Sequence, residues 1–125
     1  MPEIARANRA ERLLRGLAAG DEGLVRSVLI VRPVRTLAPT PLTRALPPAT
    51  VTLVHLAALL ALGASTTSLR WAVERALLAG ARDEEVVEVL ATVAGAVGSA
   101  RLVAVAPRLA LAIGYDIEVE GWDGY

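Results

Sequence analysis

Four glycines divide the second half of the chain into segments of similar length, and this spacing limits the folds that the chain can adopt. They are Gly63, Gly80, Gly98 and Gly114. Each follows a largely apolar segment about three to four helical turns long, and glycine commonly ends a helix. Serine or acidic residues, which favour helix starts, precede three of the four segments. Because short connections favour antiparallel neighbours, the pattern predicts an all-α helical bundle.

We predict a single domain over residues 1–125, because this length is typical of one domain. The predicted parts are an N-terminal helical arm (1–32), a proline-rich loop (33–48), a helical core (49–114) and a tail (115–125). The arm and the core together are expected to hold about six helices.

Three places in this plan leave alternatives open. Residues 28–34 are compatible with a short strand, and we favour a helix because no partner strand is predicted. The tail alternates apolar and acidic residues, which fits either an extended segment over a neighbouring subunit or a disordered end. Pro107 is expected to kink or restart the last helix.

Composition excludes several kinds of chemistry. The chain has no cysteine and one histidine, which excludes thiol chemistry, disulfides and a multi-histidine metal site within one chain. Its net charge is +0, so no bulk attraction to nucleic acid is expected. The apolar run 51–64 is shorter than the roughly 20 residues of a membrane span, and the first residues lack the apolar run of a secretory signal. We therefore expect a cytoplasmic protein with no metal, cofactor, nucleic-acid partner or membrane partner.

The segment with the most specific pattern reads LRWAVERALLAGA over residues 69–81 and DEEVVEVL over residues 83–90. This order of helix, Ala-Leu, glycine, acidic residues and apolar helix resembles the carboxymuconolactone decarboxylase family, which includes the AhpD-like alkylhydroperoxidases. The likeness extends over about residues 51–112. The resemblance implies an AhpD-like helical bundle that assembles as a homodimer, trimer or hexamer.

The catalytic motif of that family is missing. Redox members carry Cys-x-x-Cys-x-x-x-His at the start of the central helix, and counting back from Gly80 places these positions at Ser65, Ser68 and Ala72. A serine pair forms no disulfide, so thiol peroxidase activity is not expected. Decarboxylase members, by resemblance, use the histidine for proton transfer, which alanine cannot perform. The chain is thus predicted to be a divergent member.

His55 is the candidate catalytic residue, because histidine is the side chain whose ordinary pKa lies near neutrality. It could serve as a general base in the family pocket, or it could be a core or interface histidine bonded to a carbonyl. The other pocket-lining candidates are Ser65, Ser68, Ala72, Glu74 and Arg101. The two serines also fit helix caps. Arg101 and Arg108 lie two turns apart and could hold a carboxylate or face solvent.

Trp71 and Arg75 are the interface candidates, since both residue types are enriched at interface hot spots. An exposed helix face with ion pairs, such as one between Arg70 and Glu74, explains the same pattern. The inward-facing residues of this helix are predicted to be Leu69, Ala72, Val73 and Ala76.

Two functions fit these observations. The first is a cofactor-free lyase or isomerase, or a binder of a small apolar or cyclic molecule, with an aliphatic pocket and His55 as its reactive group. The alternative is a non-catalytic oligomeric scaffold or partner subunit that keeps the fold without the active site. Both predict self-association.

Overall fold

The computed structural model describes residues 2–29 and 45–115, and within these ranges the chain forms six α-helices and no strand. They are α1 (Pro2–Ala18), α2 (Glu22–Leu29), α3 (Pro48–Leu62), α4 (Thr66–Leu78), α5 (Asp83–Val97) and α6 (Ser99–Ile113). The predicted all-α class is confirmed. The predictions for most of the proline-rich loop, for residues 30–34 and for the tail beyond Tyr115 lie outside the described residues.

The chain divides into two compact units, residues 1–33 and 34–125. In the first unit, α1 and α2 are joined by a short turn that contains Gly20 at φ 74°. Asp21 caps the start of α2, because its Oδ1 accepts a hydrogen bond from the backbone N–H of Leu24 at 3.0 Å. On α1, Arg15 and Glu11 form an exposed ion pair one turn apart.

In the second unit, α3 packs against α4 and α5, and α6 also packs against α4 and α5. The four helices therefore form a ring of neighbouring pairs, with α4 and α5 in weaker contact across it. None of the helices in residues 2–29 and 45–115 is long and apolar enough to cross a membrane.

Aliphatic side chains from all four helices fill the centre of this ring. On α4 the four inward-facing residues are those predicted, and all are buried: Leu69, Ala72, Val73 and Ala76. They pack with Leu56 and Leu60 of α3, Val86 of α5 and Val105 of α6. Small alanine side chains at this contact let the helices approach closely, so a core almost without aromatic residues still packs.

The helix ends follow the sequence signals closely. Ser65 is the N-cap of α4, and Gly63 ends α3 in a left-handed conformation at φ 71°. At the start of α5 the backbone N–H of Arg82 donates to Oε1 of Glu85 at 2.9 Å. Of the two outcomes expected at Pro107, the restart does not occur, because α6 continues from Ser99 to Ile113 with the proline inside it. The packing of α6 on α4 and α5 holds the helix together despite the missing donor.

Candidate functional site

The single histidine lies in a three-residue cluster on α3 and α4. The ring of His55 meets the ring of Trp71 edge-on, with centroids 5.2 Å apart and an interplanar angle of 86°. The guanidinium carbon of Arg75 lies 5.0 Å from the Trp71 ring centroid, which is a cation–π contact across one turn of α4. The Trp71 side chain keeps 42% of its surface exposed. The cluster thus combines a titratable nitrogen base, an apolar ring and a cation at the surface.

Burial and charge both act on the imidazole. Partial burial lowers the pKa of His55 below its ordinary 6.5, and the positive charge of Arg75 lowers that pKa further. Neutral His55 therefore predominates at pH 7, so one ring nitrogen has a free electron pair that can accept a proton. His55 is half-buried, which leaves part of its ring open to solvent.

Of the two candidate serines, Ser65 is the N-cap of α4 and Ser68 lies in the first turn of that helix. Ser65 Oγ accepts a hydrogen bond from the backbone N–H of Ser68 at 3.2 Å and donates to Ser68 Oγ at 3.2 Å. Ala72 is only 1% exposed and belongs to the core. Glu74 is exposed on α4, and within the described part of the chain it makes no ion pair with Arg70, so that expected pair is absent.

Both arginines of α6 reach the end of α3. Arg108 Nη1 donates to the carbonyl oxygens of Gly63 and Ala64, at 3.0 and 3.3 Å. The guanidinium of Arg101 lies so close to Gly63 that a Cβ at this glycine would overlap it. A cation is favourable at a helix C-terminus, where backbone carbonyls lack helical partners. Arg108 therefore anchors α6 to α3, and Arg101 lies beside the same helix end.

A groove of about 320 Å³ lies between α3 and α5, away from the histidine cluster. Its apolar lining consists of Leu53, Val54, Ala57, Val89 and Val93. Its polar lining consists of Thr50, Thr92, Glu85 and Glu88. None of the pocket-lining candidates predicted from the sequence lines this groove, and neither does His55.

One of the groove carboxylates is fixed by a neighbouring residue. Oε1 of Glu85 accepts hydrogen bonds from the backbone N–H and the Nε of Arg82, which lower the pKa of Glu85 below its ordinary value. Glu88 makes no ion pair within residues 45–115. Thr92 Oγ1 donates to the backbone carbonyl of Glu88 at 2.9 Å.

Sequence reasoning missed the groove, although a signal was present. Its lining residues recur at helical spacing on both walls: residues 50, 53, 54 and 57 on α3, and 85, 88, 89, 92 and 93 on α5. Each set forms one stripe beside the core stripe of its helix. Among the four helices of this unit, inward-facing residues were predicted only for α4, so the second stripes of α3 and α5 were not recognised.

These features define an all-α protein without cysteine, with a surface histidine–tryptophan–arginine cluster and an open apolar groove. No group of three or more histidine, cysteine or acidic side chains within the described ranges is close enough to hold a metal ion. Comparison with protein-family models matches residues 38–110 to the carboxymuconolactone decarboxylase family. The match covers more than half of the chain, so the chain belongs to that family. Searches of the curated proteins and of the solved structures give no match.

Proposed function

We propose that this protein is a thiol-independent member of the carboxymuconolactone decarboxylase family that binds a small apolar or cyclic molecule beside His55. In this proposal it acts without a cofactor as a lyase or an isomerase. The observation that carries the proposal is the half-buried imidazole of His55 against Trp71, whose ring also contacts Arg75. A family member without cysteine needs a different reactive group, and His55 is the only histidine available.

The three side chains have complementary chemical properties. The imidazole of His55 can take a proton from carbon or oxygen of a bound molecule and return it after the bond rearrangement. Trp71 offers an apolar surface against which a cyclic molecule can pack. The guanidinium of Arg75 can attract the negative charge that develops on a substrate oxygen when the proton leaves.

Native mass spectrometry of the protein as purified tests this proposal first. We expect the chain mass plus a reproducible additional mass of a retained small molecule, whose identity would give the substrate class. The variant His55→Ala should lower the occupancy of this molecule and abolish its conversion. Arg70→Ala is the matched control, because it removes a neighbouring exposed residue of α4 outside the cluster.

Two results would contradict the proposal. One is a wild-type protein that carries no molecule and binds none from a panel of lactones and cyclic ketones. The other is a folded His55→Ala variant, with unchanged circular dichroism and melting temperature, that retains and converts the molecule as well as the wild type does.

A specific observation favours a second function, a non-catalytic oligomeric subunit. Several large apolar side chains of the second unit are exposed, among them Leu62 at 76%, Leu78 at 77% and Val103 at 71%. Exposed apolar side chains, together with an exposed tryptophan such as Trp71, are typical of protein interfaces. The mass measured by light scattering should then be that of a homodimer, trimer or hexamer, and the variant Leu78→Arg should give a smaller assembly. A monomeric wild type would contradict this function.

A further inference from the structure

We propose that the groove between α3 and α5 binds a small organic cation, a primary amine on a compact aliphatic or cycloaliphatic body. This site is separate from the one proposed around His55. Groove-lining residues of α3 recur at positions 50, 53, 54 and 57, whereas His55 projects from the side of that helix that contacts Trp71 of α4. The two proposals can therefore fail independently.

The floor of the groove suits an aliphatic body. Leu53, Val89 and Val93 are partly buried and pack against the core below, so they form a fixed base. Val54 is 56% exposed and stands at the edge. The volume of about 320 Å³ lies at the small end of ligand sites. A compact molecule can therefore exclude water from aliphatic surface that the fold leaves uncovered.

The charge in the groove has one sign. Helix α3 carries no charged residue, so nothing on its wall neutralises the carboxylates of the opposite wall. Glu85 and Glu88 of α5 line the groove, and only Glu85 has a basic partner, Arg82. The Glu88 carboxylate thus faces the groove without a counterion from residues 45–115. A ligand with positive charge would supply it.

The hydrogen-bonding groups of the α5 wall point to the same class of ligand. Carboxylates only accept hydrogen bonds when ionised. The Thr92 hydroxyl already donates its hydrogen bond to the backbone carbonyl of Glu88, so only its oxygen is left, as an acceptor. An ammonium group has three donors and no acceptor, so it complements this wall. A carboxylate ligand would find repulsion and no unused donor on α5.

A matched set of three probes tests the proposal: cyclohexylmethylamine, cyclohexylmethanol and cyclohexanecarboxylate. They share a ring and differ in charge. Binding is followed by two-dimensional ¹H–¹⁵N NMR of the full chain. We expect saturable shifts at the amides of Val54, Glu88 and Thr92 with the amine, and at least tenfold weaker binding of the carboxylate. Amine binding should weaken as salt is raised, because the charges are solvent-accessible.

Substitutions then separate charge from shape. Glu88→Gln should weaken amine binding about three- to fivefold and leave the alcohol within twofold, as expected for a partly exposed charge pair. Glu84→Gln is the matched control on α5, because Glu84 is exposed and does not line the groove. Val54→Arg places a cation at the groove edge and should reverse the preference, so that the carboxylate binds better than the amine.

Three results would overturn the proposal. The first is equal affinity for the three probes, which would mean that the groove does not discriminate between ligands by charge. The second is that the amine causes saturable chemical-shift changes at the amides around Trp71 and none at the amides of the groove. The third is equal loss of amine binding in the Glu84→Gln and Glu88→Gln variants. Both of these positions are exposed, so the variants are expected to fold, and melting curves check this.

Discussion

The replacement of Arg108 by leucine tests how α6 is held against α3. In the folded chain the Arg108 guanidinium donates to two carbonyl oxygens at the end of α3, those of Gly63 and Ala64. Leucine keeps much of the apolar part of the side chain and removes the donors and the charge. The variant therefore isolates the polar contribution of this contact from its packing.

The geometry sets the size of the expected loss. The 3.0 Å bond to Gly63 is well placed, whereas the 3.3 Å bond to Ala64 is long. A hydrogen bond from a charged donor contributes about 1.5–3 kcal/mol. Arg108 and both carbonyl residues are half-buried, so water can replace part of what is lost and the lower end of that range applies. We expect the free energy of unfolding to fall by about 1.5 kcal/mol.

Thermal unfolding followed by circular dichroism measures this loss. For a unit of the size of residues 34–125, a loss of about 1.5 kcal/mol corresponds to a decrease in melting temperature of roughly 6–12 °C. Arg101→Leu is the matched control, because Arg101 lies at the same helix end but is exposed and makes no hydrogen bond in the described part of the chain. Its melting temperature should change by less than about 4 °C. Equal losses in both variants, or none in Arg108→Leu, would refute the anchoring role.

Two other predictions concern titration and thiol geometry. The ¹H NMR signal of Cε1–H of His55, the only histidine, should titrate with a midpoint below pH 6.5. The variant Arg75→Ala should raise this pKa, and Arg70→Ala should leave it unchanged. An unaltered pKa in Arg75→Ala would contradict the assignment of part of the shift to the charge of Arg75. As the pH falls through 6.5 the unfolded chain binds this proton before the folded chain does, so the free energy of unfolding should decrease until folded His55 is protonated as well. Well above 6.5 His55 is neutral in both states and should contribute no pH dependence. The double substitution Ser65→Cys/Ser68→Cys should oxidise to a disulfide, seen as the loss of two hydrogen atoms in the intact mass, at a capping cost of about 1 kcal/mol. Two free thiols that persist under air would contradict the prediction that the side chains at positions 65 and 68 lie close enough to form a disulfide.

The parts of the fold that depend on local chemistry could be predicted from the sequence. Gly63 ends α3 and Ser65 caps α4, because each needs only its own neighbours to do so. The inward stripe of α4 also follows from helical period alone. Pro107 differs, because its effect depends on what packs around it. The contacts of α6 with two other helices keep the helix continuous, and no local pattern contains that information.

The site was less predictable, because it depends on which helix faces which. The spacing of Arg101 and Arg108 on α6 indicated a pair of cations on one side, but not that this side meets the end of α3. The same holds for the contact between His55 and Trp71, which belong to different helices. Glu88 could not be singled out from the sequence for another reason. An exposed acidic residue is common on a helix surface, and it becomes notable only because the uncharged helix α3 forms the opposite side of the groove.

The loss of the family motif extends deeper than the missing cysteines. Ser65 and Ser68, which by resemblance stand at the cysteine positions, place their hydroxyl oxygens 3.2 Å apart. By resemblance the histidine position is Ala72, which is 1% exposed among the core residues. An imidazole there would overfill the core, at a cost of about 1–3 kcal/mol, and would bury a polar ring. Restored cysteines would therefore still lack their proton donor. Proton transfer by a histidine in this chain must instead start from His55, on the preceding helix.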